Sequence, residues 1–230
     1  MNDLNQSEII DSLIHHIAER EFPCIAAHES VHKNTLKCYV ADHMACPKDD
    51  RAILHFMYNF IDDFRKEMKG FHSAAVIFKA PVDIDEEQFD QLLWQRLQSL
   101  SDLGAVQYDY DPRVDADVSP PNFSFSLKSE AFYIIGMHSS NARKARRFAY
   151  PTLIFNPHTQ FEKLRENNQY GKMQHIVRNR DKHFSGSVNP MLADFGDVSE
   201  VFQYSGRIYS KDWECPLKPK HAAIKDHTST

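Results

Sequence analysis

The sequence predicts an α+β domain with a small, mainly antiparallel sheet packed with helices. Three observations carry this reading. Short apolar runs that suit strands are mixed with longer stretches of helical periodicity. Their order is not the regular strand–helix alternation of a parallel α/β sheet. A chain of 230 residues, 42% of them hydrophobic, is enough for one ordinary core. No repeat or low-complexity linker divides it, so residues 1–218 read as a single domain and the polar 219–230 as a loose tail.

Each element has a local reason. Over 4–19, Leu4, Ile9, Ile10, Leu13, Ile14 and Ile17 lie near one helical face. FPC at 22–24 ends that helix, since a residue before proline leaves the helical region. LKCYVA at 36–41 reads as a strand. Over 49–69, Ile53, Phe56, Met57, Phe60, Ile61 and Phe64 recur at helical spacing, with Asp49 or Asp50 as the cap and Gly70 as the stop. AAVIFKA at 74–80 is a buried strand. Residues 85–103 form a helix with an acidic first turn and a leucine-rich stripe. The Asp- and Pro-rich stretch from Tyr108 to Asn122 is a long loop. FSFSL at 123–127 alternates like a half-exposed strand, while FYIIGM at 132–137 and TLIF at 152–155 are buried strands. Two short helices follow over 159–168 and 172–182.

Composition excludes several functions. Thirty-two acidic residues outweigh 27 basic ones, a net charge of −5 that argues against a general nucleic-acid binder. With 7 glycines and no GxGxxG or GxxxxGK[ST], neither a Rossmann nor a P-loop nucleotide site has support. No apolar run reaches the ~18 residues of a membrane span. The N-terminus lacks the basic region and apolar core of a signal peptide. Cys24, Cys38, Cys46 and Cys215 form no CxxC pair, so free thiols in a reducing cytoplasm are the expectation.

The chemistry concentrates between 136 and 207. His138 follows a buried strand, and Arg143, Lys144, Arg146 and Arg147 come just after it. A strand end holds a histidine in place, and guanidinium groups match carboxylates or phosphates bidentately. A satisfied histidine beside a solvated basic loop fits that spacing equally. His158 stands at a helix mouth beside Asn156 and Thr159, as a ligand, an acid–base group or a cap. Asp181 and Asp194 flank a GlySer turn, where Arg180 and Asp181 also suit a simple ion pair. Glu200 and Arg207 are candidates for a buried pair. His28 and His32, four apart, suit one helical face and a weak two-histidine metal site.

At these clusters the chain resembles the YqcI/YcgG-type family. The resemblance rests on FPC at 22–24, GMH at 136–138, ARRFAYPTLIFNPHTQFEKLR at 145–165 and RD at 180–181. It continues in GSVNPMLADFG at 186–196, QYSGR at 203–207 and WECP at 213–216. The chain departs from the family pattern at Ser139, Phe202 and Leu217.

The resemblance implies a protein with haem b, iron protoporphyrin IX, in a pocket beside the sheet. It implies hydroxylation of a nitrogen, amine or guanidine, in a small amino-acid-derived substrate, using O2 and external electrons. A donor such as a ferredoxin or flavodoxin would supply those electrons, docking on the basic residues at 143–147 if these are not buried. For the axial ligand, His138 ranks first, His158 second and Cys24 third, imidazole and thiolate being the usual donors. Arg143, Arg146 and Arg147 would clamp the propionates. Phe148, Phe155, Phe161 and Phe195 would wall the macrocycle or simply fill the core. Asp181, Asp194 or Glu200 would meet a cationic substrate. A non-catalytic haem sensor or carrier is the alternative, as is a non-haem iron site built from His28, His32 and a carboxylate. A homodimer is compatible with the sequence.

Overall fold

The computed structural model describes residues 6–191 and 193–220, and among these five strands and seven α-helices form. In chain order they are α1 (Gln6–Ala18), α2 (Ile25–His32), β1 (Leu36–His43), α3 (Asp50–Glu67), β2 (Ser73–Ala80) and α4 (Glu86–Gly104). There follow β3 (Phe125–Leu127), β4 (Glu130–Met137), β5 (Thr152–Pro157), α5 (His158–Glu166), α6 (Tyr170–Ser185) and α7 (Val201–Tyr204). The sheet order is β1-β2-β5-β4-β3. Only β1 and β2 pair in parallel, joined through α3; the other three pairings are antiparallel. The protein is thus a single-domain α+β fold with a mixed sheet.

Strand alternation divides the core in two. Ala74, Val76 and Phe78 of β2 face the stripes of α3 and α4, where Ile53, Met57, Phe60, Phe89, Leu93 and Leu97 are buried. Ala75 and Ile77 face the other way, toward Ile9, Leu13 and Ile17 of α1. Met137 and Ile154 share that second face. Helix α1 covers only part of it, and over β4 and β5 the face opens into a cavity.

The glycine of GMH has a packing reason. Alternation puts Ile134, Gly136 and His138 on the α4 side. A Cβ at Gly136 would stand 2.7 Å from Phe89 Cε1 and 2.9 Å from Leu93 Cδ1. Gly136→Ala is therefore expected to cost about 1–3 kcal/mol by overpacking, read as a lower midpoint in urea with an unchanged slope.

Several local expectations are corrected. Asp49 precedes α3 but makes no capping bond; its Oδ2 accepts from Asp42 N at 2.8 Å. Asp50 is buried against Arg96 and Ser99, tying α3 to α4. FSFSL is wholly buried, not half-exposed, because its serines have partners inside. Ser124 donates to Glu200 Oε2 at 2.9 Å, and Ser126 Oγ accepts from Asp111 N at 3.0 Å. The segment after FPC is helical, and α7 had no expected counterpart. Residues 221–230 of the expected tail lie outside the described residues. Among the described residues, no helix is long and apolar enough to cross a membrane.

Candidate functional site

The cavity has a volume of about 240 Å³, and about 1350 Å³ of atom-free space once its open mouth is included. Its floor is the second face of the sheet, with Tyr133 and Ile135 from β4 and Asn156 from β5. Its walls come from the start of α2, from α5 and α6, and from the segment leading into α7. Phe161, Tyr170, Met173, Val177 and Phe195 make much of that wall apolar.

At one side stands a buried acid–base pair. His158 begins α5 directly after β5, so the strand end fixes it. Its Nε2 lies 2.7 Å from Glu200 Oε1, and both residues are at most 4% exposed. Glu200 Oε2 also accepts from Ser124 Oγ at 2.9 Å and Tyr204 OH at 3.3 Å. The carboxylate therefore has three donors, which offsets the cost of burying it. The bond to Glu200 assigns the proton to Nε2, leaving the lone pair at Nδ1. Nδ1 is buried and has no hydrogen-bond partner. The Phe195 ring packs edge-on against the imidazole, centroids 4.6 Å apart.

Cys24 lines the cavity from the start of α2. Its Sγ caps that helix, accepting the Ala27 amide hydrogen at 3.4 Å. Burial pushes the free thiol's pKa up; the Ala27 and Ala26 amides and the Arg180 charge pull the other way and are outweighed. A cation bound at sulfur would remove that proton, and the helix terminus would then favour the thiolate.

The charges around the cavity do not balance. Four guanidinium groups line it, from Arg143, Arg146, Arg165 and Arg178, against the carboxylates of Asp181 and Glu200. Arg143 pairs with Asp181 at 2.5 Å, and Arg178 pairs with Asp194 at 2.8 Å. Arg146 is buried and donates to the carbonyls of Gln203 at 2.7 Å and Tyr204 at 3.1 Å. Gly206, at φ +87°, makes room for it: a Cβ there would lie 3.1 Å from Arg146 Cδ and Nη1. The same Cβ would lie 2.9 Å from Asn141 Nδ2, so the glycine of QYSGR is required by its own positive φ and by the close approach of Asn141 and Arg146.

The sequence profile of the YqcI/YcgG family matches residues 12–218. This chain belongs to the YqcI/YcgG family. A relative, the "Uncharacterized protein YcgG" of Bacillus subtilis (strain 168), is 25% identical over 211 residues, covering 85% of this chain and 80% of its own. No solved structure matches.

In this YqcI/YcgG protein the expected site residues separate into two groups. The cavity brings together His158, Arg143, Arg146, Asp181, Glu200 and Cys24. It leaves out His138, Arg147 and Phe155. His138 falls on the α4 side of the sheet, fully buried, with its ring stacked on Phe89 at 4.5 Å. It cannot ligate anything in the cavity, which corrects its first rank. Phe155 pairs in register with Ile134 and packs in the α3/α4 core. Arg147 folds back on its own loop, Nε donating to Asn141 O at 2.9 Å. With Arg143 and Arg146 turned inward, the 143–147 segment is not a free basic docking face. Asp194 is also left out of the lining, its carboxylate bonded to Arg178 and Gln174, which do line the cavity.

Other expected pairings also change. Asp181 pairs with Arg143 rather than Arg180, and Glu200 with His158 rather than Arg207, which lies 3.6 Å from Asp90. Neither Asn156 nor Thr159 caps α5: Asn156 Oδ1 accepts from Ser73, and Thr159 Oγ1 donates to Glu130. Among the described residues, no group of three His, Cys, Asp or Glu is placed to hold a metal ion, so the site expected from His28, His32 and a carboxylate does not assemble. Tyr133 and Arg165 also line the cavity, beyond the residues expected from the sequence. The period of β4 would have found Tyr133, since it shares a face with Ile135.

Burial first, then the Arg146 charge, lowers the His138 pKa to about 4. Unfolded, the ring titrates near 6.5. Between about 6.5 and 4 the unfolded chain takes up the proton and the folded one does not. Stability is therefore present above that window and lost as pH falls through it, by about 3 kcal/mol in all. His138→Phe, which keeps the stack on Phe89, should flatten this part of the stability–pH curve in urea denaturation.

Proposed function

We propose that this protein is a haem-dependent monooxygenase that hydroxylates a nitrogen of a small amino-acid-derived molecule, using O2 and external electrons. The observation that carries the reading is Cys24: a sulfur donor at a helix start, inside an apolar cavity that also holds guanidinium groups without carboxylate partners. A macrocycle with two propionates needs these three things, and the lining supplies a candidate for each. Cys24 would hold the iron, the aromatic and aliphatic walls would take the ring, and Arg146 and Arg165 are the cations free of carboxylates. Bound there, the group would supply reduction and activation of O2.

The chain's own residues have separate tasks. The apolar walls exclude water from the reacting nitrogen. His158 takes a proton at Nδ1, and Glu200, already bonded at Nε2, stabilises the imidazolium that results. Asp181 holds Arg143 in place rather than meeting a substrate cation. The free cysteines accord with work in a reducing cytoplasm, where a ferredoxin or flavodoxin would supply electrons.

The test is product formation from 18O2. Chain loaded with haem, given a ferredoxin or flavodoxin with its reductase and a panel of free amino acids and guanidines, should release an N-hydroxy product carrying one labelled oxygen. Oxygen consumption that yields only peroxide across the whole panel would contradict the reading.

A further inference from the structure

Of the two cavity cations without a carboxylate, Arg146 is bonded to backbone carbonyls and Arg165 is not. Arg165 sits in the last turn of α5 and lines the cavity. Its guanidinium carbon is 4.3 Å from the Tyr170 ring centroid and 5.4 Å from that of Phe195. Among the described residues, this guanidinium has no hydrogen-bond or ion-pair partner, unlike those of Arg143, Arg146 and Arg178. The carboxylates nearby are already engaged: Asp181 by Arg143 and Ser185, Glu200 by His158, Ser124 and Tyr204.

We infer that Arg165, held between Tyr170 and Phe195, is a binding point for a carboxylate entering this cavity. Contact with the two rings limits the freedom of the guanidinium, while its N–H edge has no partner. That edge presents two parallel donors, a match for the two oxygens of a carboxylate. Arg165 is partly exposed, and its unpaired charge on the wall of a largely apolar cavity attracts an anion and offers nothing to an uncharged or cationic counterpart, so the site selects acids. This reverses the expectation that the cavity's carboxylates select a cation.

A carboxylate here has two sources: a free amino acid, or a propionate of a porphyrin. The inference rests on the proposed function only in the choice of these probes, and binding is read without turnover. One arm titrates the full chain with free L-amino acids and with the amines that each gives on losing its carboxylate. The other compares haemin with haemin dimethyl ester. Calorimetry and Soret absorbance give the affinities, for wild type, Arg165→Gln and Arg165→Lys.

In at least one arm the acid should bind about tenfold or more tightly than its counterpart. Arg165→Gln should erase that preference without weakening the counterpart, and Arg165→Lys should restore part of it. A preference in the first arm assigns the site to substrate, and one in the second to propionate. No preference in either arm, or one that survives in Arg165→Gln, overturns the inference. Failure to take up haemin, with the amino-acid preference intact, would sink the haem reading and leave this inference standing.

Discussion

Replacing Cys24 by alanine is expected to change the electronic spectrum of the haem-loaded protein while leaving the fold in place. The side chain caps a short eight-residue helix and is only half-buried, so its loss as a cap costs about 1 kcal/mol. On the proposed haem reading, its loss as the donor to iron would be a far larger effect. Thiolate ligation shifts the band of the reduced carbon monoxide complex in a way imidazole does not. Cys24→Ala should abolish the thiolate-type band, and Cys24→His should convert it to the imidazole type. A spectrum unchanged in Cys24→Ala would remove the sulfur from the site. His158 would then be the donor to test, through its unpartnered Nδ1.

The second large effect is on stability. His158→Ala should destabilise the protein by about 3–5 kcal/mol, because it leaves the Glu200 carboxylate buried without its imidazole partner. Only Ser124 and Tyr204 would still donate to it. Glu200→Gln should cost less, since an amide oxygen can keep accepting from those hydroxyls and no charge is stranded. The His158→Ala/Glu200→Ala double variant should be markedly less destabilised than the sum of the single ones, a coupling of about 1–3 kcal/mol in urea denaturation. Additive losses would mean that the two side chains are not a unit. The proton role given to His158 would fall with them.

Much of the fold was legible in the sequence, and the site was legible only in part. The stripes of α3 and α4 and the apolar runs of β2, β4 and β5 lie where their periodicity put them, because each element buries one regular face. The parity of β4 is equally legible in the sequence. His138 is two residues past Gly136, so it had to share the α4 face with Ile134 rather than the cavity face with Tyr133 and Ile135. The misreading of FSFSL has a different cause. Alternating serines look solvated until their distant partners are known, and Glu200 lies 76 positions away from Ser124. The ion pairs went wrong for the same reason. Neighbours in sequence, Arg180 with Asp181 and Glu200 with Arg207, were favoured over partners set by tertiary contact. Cys24 ranked low because burial argues for an inert thiol. Only the structure places that sulfur at a helix start facing a cavity.

The central proposal is that Cys24 would hold a haem in this cavity and that the haem would react there with O2. The most direct test is the absorption spectrum of the full chain from cells fed a haem precursor, recorded oxidised, reduced and reduced with carbon monoxide. The account predicts about one haem per chain and a thiolate-type shift of the Soret band on adding carbon monoxide. A colourless protein that takes up no added haemin would contradict it. So would a six-coordinate, low-spin spectrum that refuses carbon monoxide, since both faces of the iron would then be closed to O2.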